Sequence, residues 1–91
     1  MSLRITDAAM TSSITSHTAR RETGGMWSVS WLPSPSLPLD RNAAITALTL
    51  AELVAAGVSN SAHQQWPHVV SFAAELGLTA DDAIYLIREK S

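Results

Sequence analysis

The residue types able to carry chemistry in this chain are few, and their spacing is wrong for most of it. His63 and His68 stand five apart with Pro67 between them, whereas ligands on successive helical turns stand three or four apart. His68 and Glu75 lie two turns apart and could share a face, but no third ligand stands close enough to complete a metal site. No metal or other cofactor is expected. His63 reads as solvated and His68 as bordering a helix start. The chain has many hydroxyls, three histidines and no cysteine, yet no Gly-flanked nucleophile elbow and no Gly-rich phosphate cradle. Asp81-Asp82 falls where a helix begins, and carboxylates there stabilise the dipole without doing catalysis. No residue is assigned a catalytic role, and the chain reads as a non-enzyme.

What remains is binding. Three tryptophans are a large aromatic load for 91 residues. At least one of Trp27 and Trp66 should fill the core, while a tryptophan left partly exposed would anchor a partner, as Trp and Arg often do at interface hot spots. Arg41 and Asn42, at a helix start, could flank such a site, although capping and a solvated charge account for them more simply. The expected partner-binding set is therefore Trp27, Trp31, Arg41, Asn42, Trp66 and His68.

A DNA-binding reading competes. Ala73, Gly77, Leu78 and Thr79, followed by Ala83 and Leu86, fit the spacing of a helix-turn-helix, a spacing common to any two helices meeting at a tight glycine turn. The recognition helix would then lead with Asp81 and Asp82, which repel phosphate. A ribbon-type reader would expose Ser28 and Ser30 with no Arg or Lys adjacent in sequence, behind a connector long for that motif. Net charge is −2, and residues 26–91 hold Arg41, Arg88 and Lys90 against six carboxylates. Nucleic acid and anionic lipid are thus poor default partners.

The elements that would position these residues follow from the patterning. Residues 1–25 show no sustained period and end in Gly24-Gly25. Apart from a candidate short strand at Leu3–Thr6, they read as a disordered leader, with Met26 directly after it as an alternative start. Trp27, Val29 and Trp31 alternate with Ser28 and Ser30, the period of a half-buried strand. Pro33, Pro35 and Pro38 make an extended connector. Asp40 is a good N-cap for a helix that is apolar apart from the stripe Asn42, Thr46, Thr49 and Glu52, and Gly57 ends it. A second helix starts near Ser59 or Asn60, but Pro67 is tolerable only in a first turn, so its firm part runs from about Pro67 to Leu76. It buries Trp66, Val69, Val70, Ala73 and Leu76 and stops at Gly77. Thr79 caps a third that buries Ala83, Ile84 and Ile87 and places Arg88 and Lys90 at its C-terminal end.

Taken together, Trp27-x-Val29-Ser30-Trp31-Leu32-Pro33, Arg41-Asn42-x-Ala44-Ile45-Thr46-Ala47, Leu50-Ala51-Glu52, Trp66-Pro67-His68 and Ala74-Glu75-Leu76-Gly77-Leu78 resemble a set of small uncharacterised proteins of actinobacteria and their phages. The match runs over residues 27–84. Where those relatives carry Gly-Arg after Pro33 and Gln after Asn42, this chain has Ser34-Pro35 and Ala43. The resemblance implies a fold unit and a host, and no activity.

The expected fold is mainly α: one N-terminal β-strand followed by a compact three-helix domain over residues 26–91, with helices at about 40–56, 61–76 and 80–89. The strand needs a mate, either from the leader or from the same strand of a second copy, and the second choice suggests a homodimer paired through Met26–Leu32. No apolar run approaches the ~20 residues of a membrane span, and no secretory signal is visible, so a cytoplasmic protein-interaction or accessory module is expected.

Overall fold

A computed structural model describes residues 3–32, 39–58 and 60–89. Four strands form one antiparallel sheet in the order β1 (Leu3–Ile5), β2 (Ala9–Ser12), β3 (Ala19–Arg21) and β4 (Trp27–Val29). Three helices follow, α1 (Arg41–Ala55), α2 (Trp66–Glu75) and α3 (Ala80–Glu89). The expectation of a single strand in a mainly helical fold is overturned, because the segment taken for a leader supplies β1, β2 and β3. The strand considered at Leu3–Thr6 is β1.

The reason lies in turn chemistry that leaves little periodic trace. Between β1 and β2 the Thr6 hydroxyl accepts from the Ala8 and Ala9 N–H groups, and the Thr6 N–H donates to the Ala9 carbonyl at 2.8 Å. After β2, the Ser12 hydroxyl accepts from the Ile14 and Thr15 N–H groups. Side-chain hydroxyls thus make the turns that Asn-Gly pairs make elsewhere. Between β3 and β4 the turn is a single 3-10 turn, Thr23–Gly25, in which Gly24 and Gly25 sit at φ +81° and +78°. Those left-handed angles suit glycine.

Registers Met10↔Ala19 and Ala19↔Val29 line up one buried row across three strands. Each of the first three strands contributes only one or two inward residues, too few to show a period of two. Of the two mates considered for β4, the structure pairs it with the N-terminal segment, through β3 of the same chain. Trp27, Val29 and Trp31 are all buried, as their alternation predicts, although the strand ends at Val29.

Helix α1 packs on this inner face and also touches α2 and α3, so it is the central helix. Ala44, Ala47 and Ala51 are fully buried and let the sheet and helices approach closely. Trp31 is fully buried too, and its indole N–H donates to the Ala47 carbonyl at 3.1 Å. Asp40 caps α1 as expected, accepting the Ala43 N–H at 2.7 Å. Glu52, read as part of a polar stripe, is instead buried, with its carboxylate accepting the Ser12 hydroxyl at 2.6 Å.

Both helix stops behave as the glycines predict. The Gly57 and Val58 N–H groups close onto Val54 and Leu53, and those of Gly77 and Leu78 onto Ala74 and Ala73. This is the Schellman pattern, with φ +101° and +76° at the two glycines. Helix α2 starts at Trp66, with Pro67 in its first turn as expected for the firm part, whereas the stretch from 61 to 65 is not helical. Before it, the Asn60 side chain accepts the Ala62 N–H and the His63 imidazole accepts the Gln65 N–H, in local turns that compete with helix. Val69, Ala73 and Leu76 are buried as expected, whereas Val70 is exposed. Thr79 caps α3 through the Asp82 N–H, and Ala83, Ile84 and Ile87 face the core. The Pro33–Pro38 connector, Ser59 and Lys90 lie outside the described residues.

Candidate functional site

The structure divides the six residues singled out by sequence among separate places. Trp31 belongs wholly to the core, and its one polar atom is committed to Ala47. Trp66 is half-buried in the first turn of α2, packed on the core. His68, two residues on, is exposed and stacks on Phe72 with ring centres 6.1 Å apart. Asn42 lines a shallow depression of about 270 Å³ with Asp40, Thr46 and Glu75, between the start of α1 and the end of α2.

Trp27 and Arg41 do come together. They line a depression of about 260 Å³ with Asp7, Arg21 and Gly25. Its position follows from the register. Arg21 pairs with Trp27 across β3 and β4, so both project to the helix side of the sheet, where α1 begins with Arg41. The Trp27 N–H donates to the Leu39 carbonyl at 2.8 Å, which brings the chain back to the helix start beside the same strand. Trp27 is buried and forms a wall, while both arginines are exposed. Neither arginine makes an ion pair among the described residues. Arg20, on the opposite face, has a loose one with Glu22 at 3.9 Å.

Sequence reasoning missed Arg21 and Asp7 because both lie in the presumed leader. The Arg20-Arg21 doublet in an otherwise polar stretch was the available signal, but which arginine faces α1 depends on the pairing register.

One contact has the form of a nucleophile and its base. The Ser30 hydroxyl lies 2.9 Å from His17 Nδ1, and His17 Nε2 lies 2.8 Å from the Ile87 carbonyl. Since a carbonyl can only accept, Nε2 carries a proton, and in the neutral tautomer this leaves Nδ1 to accept from Ser30. Ser30 also accepts the Thr18 N–H at 3.0 Å. His17 is buried, its orienting partner is a neutral carbonyl, and neither depression described above includes Ser30. The arrangement supplies a donor to a carbonyl in the last turn of α3.

On the outer face of α3, Tyr85, Ile84 and Asp81 line an open groove of about 460 Å³. The Tyr85 phenol is held above its ordinary pKa, first by its hydrogen bond to Glu89 and then by that carboxylate's charge. Among the described residues, no group of three or more His, Asp or Glu side chains could hold a metal ion, and no helix is long and apolar enough to cross a membrane.

No family model, curated protein or solved structure matches this chain.

Proposed function

We propose that this chain is a non-catalytic protein-binding module, acting in the cytoplasm as an accessory to another protein. The observation that carries this reading is the convergence of Trp27, Arg41 and Arg21 on one depression with both guanidinium groups exposed and unpaired among the described residues. An aromatic wall beside arginines is a common hot-spot composition. Self-association through β4 loses its original motive, since β3 already pairs with that strand. DNA binding through α3 has no comparable support, because Asp81 and Asp82 lead that helix and are exposed.

The test is capture by the full-length tagged chain from a nuclease-treated actinobacterial lysate, run beside Arg41→Glu. Arg41 is exposed, so this change should alter stability by less than ~0.5 kcal/mol. One protein recovered at near-stoichiometric yield by the natural chain and lost with Arg41→Glu supports the reading. Recovery that ignores the substitution, or recovery of nucleic acid alone when nuclease is omitted, overturns it.

A further inference from the structure

The depression beside Trp27 also indicates what it would take. We infer that it is a carboxylate-binding site, filled by a single carboxylate of a peptide segment on the partner. This rests on the protein-binding reading and specifies the chemistry of its ligand.

The argument begins with charge. Arg21 and Arg41 bring two positive charges to the depression and Asp7 brings one negative, which leaves one positive charge to be matched. A carboxylate supplies one negative charge, whereas a phosphate near neutral pH brings between one and two and meets more repulsion from Asp7. The chain as a whole carries a net charge of −2, which opposes a polyanion at longer range.

Geometry points the same way. A guanidinium presents paired donors in a plane that matches the two oxygens of a carboxylate, and neither of these two is occupied by an ion pair among the described residues. Trp27 adds an apolar wall against which the methylenes of an acidic side chain, or the last residue of a chain, can lie. At about 260 Å³ the space suits one residue rather than a folded surface. Gly25 keeps its rim open: a Cβ there would meet nothing within 4 Å, so no side chain fills the mouth from that side.

The test is a nuclear magnetic resonance titration of the full-length, nitrogen-15-labelled chain, following the Nε–H signals of Arg21 and Arg41 and the indole N–H of Trp27. The probes are acetyl-Ala-Glu-Ala-amide, its Gln counterpart, acetyl-Ala-Ala-Ala with a free C-terminus, and inorganic phosphate. Saturable shifts with the Glu peptide or the free C-terminus, absent with Gln, support the site. Which of the two saturates identifies the source as an acidic side chain or a chain end. Arg21→Gln and Arg41→Gln should each weaken binding at least about tenfold, as expected for loss of a charge-assisted pair, with the rest of the amide spectrum unchanged. Equal response to Glu and Gln, tighter binding of phosphate than of either carboxylate, or no saturation overturns the inference. Capture that depends on Arg41 while no peptide titrates would remove the carboxylate site and leave the protein-binding reading standing. Titration with no captured protein would do the reverse.

Discussion

His17 Nε2 donates to the Ile87 carbonyl at 2.8 Å, joining the β2–β3 loop to the last turn of α3 across 70 residues of chain. The last four carbonyls of a helix have no partner within it, so this imidazole occupies one of the places where α3 most needs a donor. The hydrogen bond holds the N-terminal sheet and the C-terminal helix together directly.

His17→Ala should therefore destabilise the protein by about 2–4 kcal/mol, combining a lost buried hydrogen bond with a cavity. Urea denaturation measures the change. Long-range nitrogen–proton spectra of the natural chain should show the neutral ring protonated at Nε2. The opposite tautomer would contradict the Ser30–His17–Ile87 relay.

Removing residues 1–25 takes away β1, β2 and β3 together with His17. β4 is then left without a mate and the sheet side of α1 without cover. A chain beginning at Met26 should lose cooperative thermal unfolding in circular dichroism and shift its tryptophan emission towards that of exposed indole. A sharp transition like that of the full chain would show that the helices stand without the sheet.

Trp31→Phe keeps a ring in the core but deletes the N–H that reaches Ala47. Loss of that bond and of some packing should cost about 1–3 kcal/mol. Trp27→Phe deletes no side-chain hydrogen bond to the described residues and should cost less. Denaturant midpoints of the two variants, measured side by side, decide the order.

Ser12→Ala removes the hydroxyl that donates to the buried Glu52 carboxylate at 2.6 Å, as well as the acceptor for the Ile14 and Thr15 N–H groups. A loss of about 1.5–3 kcal/mol is expected, because a hydrogen bond to a charged group is among the stronger kind. Ser12→Thr retains the hydroxyl and should recover part of it. Equal destabilisation by Ala and Thr would place the effect in packing instead.

Tyr85 titrates above its ordinary value because its phenol donates to Glu89 and ionisation would set two negative charges side by side. Glu89→Gln should lower the titration midpoint towards 10.0, read by ultraviolet difference spectroscopy. The sign for stability follows: a raised folded-state value favours the protonated form, so any contribution is present below the unfolded value and fades as the pH rises through the folded one. An unchanged midpoint would mean that the contact is not made in solution.

The helical half was legible because its signals are local. Asp40, Gly57, Gly77 and Thr79 each act on backbone groups within a few residues, and the apolar spacing of α3 is read from ten consecutive positions. The strand at Trp27 declared itself through three alternating large residues. The start of α2 was misplaced because the turns at Asn60 and His63 are also local and competed with the helix pattern.

The sheet was illegible for the complementary reason. Strands of three or four residues, turned by Thr6 and Ser12 and carrying Met10 and Ala19 as buried contacts, gain their stability only by pairing with one another and packing on α1. Pairing likewise decides the candidate site. Residue types alone marked Trp27 and Arg41, but Arg21 joins them only because it lies opposite Trp27 in the β3–β4 register. A shift of one residue would turn it to the other face with Arg20. Caps and periods act along the chain and can be read from it, whereas register and burial are set by groups far apart in sequence that meet only when the sheet closes over the helix.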